Sequence, residues 1–302
     1  MTAAAEGRGS AGQDRPSFTA EVVCAQRAGE TRQRPGRRLI DDPYARHFVQ
    51  SPLLRAVAST RATSRLTLAV YDWRFPGYHA EITLRNPHWE RTLQRALADG
   101  VDQVVNLGAG YDSTAFRLDL GDARVWEVDA PPTQEAKRSI VQRRGLEPKS
   151  KLTFVPCDFE RDAVYDRLAE HGFQPERRSV VLWFGVVFFL TEDAAHAALA
   201  DIARLTSPGS TLLWDYMDQA VIDGTTDCVG AQRVSKRVAR RGEPYRFGLT
   251  RAGVEPLMSE HGFRVVDHVR IPDLVERYAP DGGAWCRADD FMGLVTAERA
   301  AG

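Results

Sequence analysis

Val104-Val-Asn-Leu-Gly-Ala-Gly-Tyr-Asp112 is the stretch that decides the fold. A short apolar run enters the turn Gly108-Ala109-Gly110, and a helical stretch follows from Ser113. Glycine on both sides of the turn lets the backbone bend sharply and lets a ligand come close to the main chain. Nineteen residues beyond Gly110, Asp129 ends the next apolar run, Trp126-Glu-Val-Asp129. A carboxylate in that place accepts hydrogen bonds from both hydroxyls of a ribose. The two features together put an adenosine-like ligand across the carboxyl ends of two neighbouring parallel strands.

NAD and S-adenosylmethionine both contain that nucleoside, and the residues around the turn separate them. A dinucleotide fingerprint has a third glycine where this chain has Ser113. Asp112 stands where the following helix begins, the positive end that a pyrophosphate occupies. A carboxylate there repels a phosphate but tolerates a sulfonium cation; it also serves as an ordinary helix cap, and the two roles are compatible. A third candidate contact is Asp158-Phe159, after the next strand, where the side chain and ring suit an adenine amine and base face. A turn aspartate has the same appearance, so this pair gains its meaning from its register behind the turn and the ribose acid.

Outward from the turn, Gln103–Leu107, Arg124–Val128, Leu152–Val155, Val180–Phe184, Thr211–Asp215, Phe263–His268 and Phe291–Thr296 read as strands. Between them, helical patterns cover Ser113–Leu118, Pro132–Arg143, Arg161–His171, Glu192–Leu205 and Arg251–His261. Such alternation predicts a mostly parallel sheet with helices on both faces, an α/β Rossmann-like core over 101–302. The alternation stops between about Met217 and Gly248, which reads as an inserted lid. Residues 18–100 are helical in pattern but broken at Pro35, Pro43, Pro52, Pro76 and Pro87, which implies a cap of short helices. Residues 1–17 read as a mobile tail.

Composition excludes several classes. The 302 residues carry 40 basic and 41 acidic side chains, so no global positive field draws nucleic acid. Mean hydropathy is −0.36, and the longest apolar run, Val180 to Leu190, is far short of the ~20 residues of a membrane span. Cys24, Cys157, Cys228 and Cys286 stand far apart, without metal-ligand or disulfide-framework spacing. The expected setting is the cytoplasm, with no metal and no membrane partner; the oligomeric state stays open.

With these residues in hand the chain resembles class I S-adenosylmethionine-dependent methyltransferases. More narrowly, it is similar to the leucine carboxyl methyltransferase family and its bacterial polyketide O-methyltransferase branch. Leu39-Ile-Asp-Asp-Pro-Tyr-Ala45, Asn106-Leu-Gly-Ala-Gly-Tyr-Asp112, Glu127-Val-Asp129, Gly242-Glu-Pro-Tyr-Arg-Phe-Gly248, Gly262-Phe263 and Leu274-Val-Glu-Arg-Tyr278 carry the likeness. The resemblance implies a seven-stranded sheet with its last strand antiparallel, roofed by the N-terminal helices and the insertion. It implies that Gly108, Ala109, Gly110, Asp129, Asp158 and Phe159 hold the cofactor. It further implies that Arg85 binds the methionine carboxylate, with Arg27 as the second candidate. A guanidinium suits that task because its planar fork meets a carboxylate bidentately. The family usually has an acidic residue where this chain has Phe184. Phe184, at a strand's carboxyl end, and Tyr78, in the roof, are the candidate acceptor contacts.

Methyl transfer from a sulfonium is an in-line displacement helped by close positioning and exclusion of water. A carboxylate acceptor is already ionised at neutral pH and needs no base, whereas a phenol usually does. Among seven histidines, His79 and His88 in the roof are the candidate bases. The absence of a convincing base favours a carboxyl acceptor on a small specialised metabolite such as a polyketide; a protein C-terminal carboxyl group ranks below it. Arg233, Lys236, Arg237, Arg240 and Arg241 fall on one face of a helix in the insertion, a solvated face or an attractor for an acidic substrate or its acyl carrier protein. Two other classes remain: a protein that binds the cofactor without transferring methyl, and an NAD-dependent oxidoreductase.

Overall fold

The computed structural model describes residues 15–279 and 289–301. Residues 1–14 of the expected tail and Cys286 lie outside the described residues. Five helices come first: α1 Phe18–Thr31, α2 Ala45–Phe48, α3 Pro52–Val57, α4 Arg61–Arg74 and α5 Tyr78–Ala98. Alternation then begins with β1 Gln103–Leu107, α6 Thr114–Arg117, β2 Arg124–Asp129, α7 Pro131–Arg144, β3 Lys151–Pro156 and α8 Val164–Glu170. It continues through β4 Ser179–Trp183, α9 Glu192–Leu205 and β5 Thr211–Met217. The insertion holds α10 Gln219–Ile222 and α11 Val229–Ala239, and the chain ends with α12 Val254–Glu260, β6 Phe263–Arg270, α13 Ile271–Tyr278 and β7 Met292–Arg299.

The strands form one seven-stranded sheet in the order β3-β2-β1-β4-β5-β7-β6. β1 to β5 pair in parallel, and β7 runs antiparallel to both β5 and β6. The expected Rossmann-like class I fold is the observed one. β1 and β4 lie centrally and are covered on both faces, which is why Val104-Val105 and Val180-Val181-Leu182-Trp183 read as continuous apolar runs. The order reverses direction between β1 and β4, which opens a crevice beyond their carboxyl ends, where ligands of open α/β sheets bind.

Two elements depart from the pattern read in the sequence. Pro87 does not break its helix but lies inside α5. A proline removes the amide that would bond the carbonyl four residues back, here that of Thr83. The Asn86 side-chain amide reaches this carbonyl at 3.3 Å and that of Ile82 at 2.8 Å. Helix α13 was not expected. Its apolar stripe, Ile271 and Leu274 buried, packs against α5 and closes the far side of the cap.

The insertion leaves and rejoins the core at one place, where Asp218 pairs with Leu249 at the end of β5. It docks on the cap through Gly230, whose missing Cβ leaves room for the Pro76 carbonyl; an ideal Cβ would lie 2.0 Å from that oxygen. Cap and insertion together therefore cover the carboxyl edge of the sheet.

Candidate active site

A cavity of about 560 Å³ opens under that roof. Gly108, Ala109, Gly110, Asp112, Asp129, Asp158 and Phe159 line it from the sheet edge. Gly108 and Gly110 have φ of 69° and 48°, the left-handed region, so the turn is one that glycine makes without strain. Its shape is held by Val128, whose carbonyl accepts from the amides of Gly108 at 2.7 Å and Ala109 at 3.0 Å. The open side of Gly108 faces protein, not ligand space: an added Cβ would fall 2.0 Å from Cγ2 of Val186. The glycine expected to admit a ligand instead admits the loop after β4.

Asp129 ends β2 with its carboxylate turned back to the turn. Oδ1 accepts from the Ala130 amide at 2.7 Å and Oδ2 from the Gly110 amide. Burial pushes its pKa up to about 6, against the pull of those two donors. Asp112 behaves oppositely. Burial pushes it up, but Arg27, Lys137 and the hydrogen bonds from Thr114 outweigh that and hold it below the ordinary carboxylate range. It is thus a fixed negative charge beside the turn that also caps α6 through the Thr114 amide at 2.8 Å. At the third strand's end, Asp158 accepts from the Glu160 amide at 3.1 Å, a turn contact, while lining the cavity with Phe159.

Arg85 lines the cavity from α5. Its Nη1 donates to Glu81 Oε1 at 2.7 Å and to Asp215 Oδ2 at 3.0 Å. Among the described residues Nη2 and Nε make no hydrogen bond, so one edge of the fork remains for a ligand carboxylate. The guanidinium sits 5.7 Å from the centroid of the Phe184 ring, which forms part of the same wall. Asp215 also accepts from the Gly185 amide at 2.8 Å and so fixes the loop after β4. Burial raises both acids above the ordinary range despite Arg85, Asp215 to about 7.

The roof adds hydroxyl and aromatic groups. Tyr71, Tyr78 and Tyr245 line the cavity, with the Tyr78 and Tyr245 hydroxyls 3.1 Å apart. Burial pushes all three phenols up, so each stays protonated at neutral pH.

A family profile described as leucine carboxyl methyltransferase matches residues 20–203. The chain belongs to the leucine carboxyl methyltransferase family. A Mycobacterium marinum protein is 33% identical over 240 residues, 76% of this chain and 72% of its own length. YktD of Bacillus subtilis is 29% identical over 192 residues, and this chain spans 63% of its length. Both carry the provisional name S-adenosyl-L-methionine-dependent methyltransferase. A solved protein from Thermobifida fusca superposes with a TM-score of 0.59 at 16% identity, covering 95% of this chain and 96% of its own. A DUF574 family protein from Streptomyces avermitilis gives 0.59 at 13% identity, covering 94% and 98%. At such identities these two likenesses describe the fold alone.

Within this family member, the two candidate bases lie away from the cavity. His79 is fully buried, with its ring nitrogens 2.9 Å from Gln26 Oε1 and 2.9 Å from Glu30 Oε1. His88 meets the Tyr278 hydroxyl at 3.2 Å, and burial lowers its pKa. Both face neighbouring helices because the cavity side of α5 is the Tyr78, Glu81, Arg85 stripe, which leaves them on other sides. Arg27 touches the cavity but is committed to structure, donating to the Tyr111 carbonyl at 2.5 Å and pairing with Asp42 at 3.1 Å. Glu81 and Asp215 are the site residues that sequence reasoning missed. Glu81 was detectable as the residue one helical turn before Arg85; Asp215 had no local signal, since it meets Arg85 only across the fold.

Proposed function

We propose that the chain binds S-adenosyl-L-methionine along the glycine turn and transfers its methyl group to an oxygen of a small metabolite, a carboxyl oxygen first. The observation that carries this reading is the convergence of Asp129, Arg85 and the Gly108–Gly110 turn on one roofed cavity. The donor set fits the cofactor: acceptor oxygens of Asp129 for ribose hydroxyls, Asp158 and Phe159 for the base, and the open edge of the Arg85 fork for an amino-acid carboxylate. When bound, that cofactor supplies an electrophilic methyl carbon on a positively charged sulfur. Asp112, negative and fixed beside the turn, suits a phosphate-free cationic nucleoside and opposes the pyrophosphate of NAD.

Catalysis then rests on what the protein holds still and covers. The cap and insertion cover the carboxyl edge of the sheet, and the Arg85, Glu81 and Asp215 cluster fixes the wall beside the loop after β4. Among the described residues no histidine lines the cavity, and its tyrosines stay protonated. An acceptor that arrives already ionised needs no more than this, which is the basis for placing a carboxylate first. One observation favours a hydroxyl acceptor as the second reading: Glu81, buried and raised in pKa, lines the cavity as a carboxylate able to take a proton.

Calorimetry with S-adenosylhomocysteine and with NAD tests the cofactor; binding of the former alone is expected. A labelled-methyl assay followed by mild alkaline hydrolysis tests the acceptor. Methanol release is expected from an ester, and a stable label would move the reading to a hydroxyl. A bound cofactor with no S-adenosylhomocysteine formed under any acceptor would leave a binding protein.

A further inference from the structure

Helix α11 carries Arg233, Lys236 and Arg237; Arg240 and Arg241 follow at its end, and the structure separates these five cations by whether they line the cavity. Val234 and Val238 are buried, and Arg237 and Arg241 line the cavity with them. All four of Lys236, Arg237, Arg240 and Arg241 are solvent-accessible, but Lys236 and Arg240 do not line the cavity, and Arg233 donates to the Arg74 carbonyl at 3.0 Å instead. Arg237 lies 5.5 Å from the centroid of the Phe75 ring, and its charge is felt at the Tyr71 hydroxyl. Arg241 lies 3.7 Å from the centroid of Phe18.

The cavity's acids are already engaged elsewhere. Glu81 is held by Arg85, Asp129 by two backbone amides, and Glu243 by the hydroxyls of Ser17 at 2.9 Å and Thr19 at 2.5 Å. Arg237 has no carboxylate within ion-pair distance among the described residues. It is a cation over an aromatic face, near the Tyr71 phenol, at the solvent-accessible mouth of the cavity. Its guanidinium therefore faces the cavity without a competing carboxylate, and its attraction for an anion falls as salt screens it.

We propose that Arg237 makes the roof end of the cavity an anion-selective subsite, which takes the acceptor as an aromatic acid and grips a carboxylate or similar oxyanion of it. The aromatic side chains supply the face for its rings, and the guanidinium supplies the fork for its charge. The inference rests on the proposed methyl transfer for the identity of the ligand, but its test does not require turnover.

The test uses two fluorescent probes with one skeleton: 8-anilino-1-naphthalenesulfonate, an anion, and N-phenyl-1-naphthylamine, its neutral counterpart. Both are titrated into the full chain with saturating S-adenosylhomocysteine, and 1-naphthoate is used as competitor. The wild type is expected to prefer the anion, and Arg237→Gln to lose roughly tenfold in that preference while binding the neutral probe unchanged. Arg237→Lys should keep part of it, and Arg240→Glu, outside the cavity, should keep all of it. Equal anion preference in wild type and Arg237→Gln overturns the subsite, as does an equal loss in Arg240→Glu. Failure to bind S-adenosylhomocysteine in calorimetry overturns the cofactor reading instead, so the two failures are distinguishable.

Discussion

Arg85 of α5 and Asp215 of β5 stand 130 residues apart in the chain and meet at 3.0 Å beneath the roof. Glu81 joins them one helical turn away, so one guanidinium serves two buried carboxylates. The contact ties the cap to the sheet at the wall where the methionine end of the cofactor is proposed to lie.

Removing the cation should therefore act on stability as well as on binding. Arg85→Ala leaves two buried acids without their partner, and breaking a buried pair typically costs about 3–5 kcal/mol. Denaturant unfolding should show a smaller loss at pH 5 than at pH 8, because the stranded acids can protonate. Arg85→Lys keeps the charge and loses the fork. It should remain folded and bind S-adenosylhomocysteine about tenfold more weakly by calorimetry.

The raised pKa of Asp215 gives a second expectation. Unfolded, the group titrates near 3.8; folded, near 7. Between those values the folded state holds the extra proton, so stability falls as pH rises from about 4 to about 7 and levels off above. One proton corresponds to a slope of about 1.4 kcal/mol per pH unit. Asp215→Asn should flatten the profile across that window, read as unfolding free energy at pH 5, 6 and 7. Asp129 and Glu127, raised to about 6 and about 7, act in the same direction in both proteins and cancel in the difference.

Gly108 is constrained twice, by its φ of 69° and by Val186. Gly108→Ala should cost roughly 2–5 kcal/mol, from left-handed backbone and overpacking together. Adding Val186→Ala should recover the packing part only. A double variant no more stable than the single one would mean that the overlap contributes nothing.

The cations outside the cavity, Lys236 of α11 and Arg240 at its end, separate a free acceptor from one delivered on an acidic carrier protein. Lys236→Glu with Arg240→Glu should leave KM unchanged for a free acid. For a carrier-borne acceptor it should raise KM several-fold at low salt, with the difference fading as salt screens the contact. A KM independent of salt for the carrier-borne acceptor removes the carrier from the account.

Much of this fold was legible in the chain because its signals are local. Apolar runs alternating with helical periods announce a parallel sheet. Glycines 108 and 110 announce the turn, and Asp129 follows at the spacing set by one strand–helix–strand unit. All seven strands lie where the hydrophobic pattern put them, with ends shifted by at most three residues. Periodicity also showed that Arg233, Lys236 and Arg237 share a helix, although that helix ends at Ala239, before Arg240 and Arg241.

What it could not show is what each helix faces. Tertiary packing decided that Arg237 lines the cavity and Arg240 does not, that His79 is sealed between Gln26 and Glu30, and that Glu81 and Asp215 converge on Arg85. The continuity of α5 through Pro87 is local but was also missed, because the adjacent Asn86 side-chain amide reaches the carbonyl that lost its donor. Sequence spacing determines which side chains share a surface. The partner across that surface comes from elements far away in the chain, and the hydrogen bonds and charges of a buried site are set by that partner.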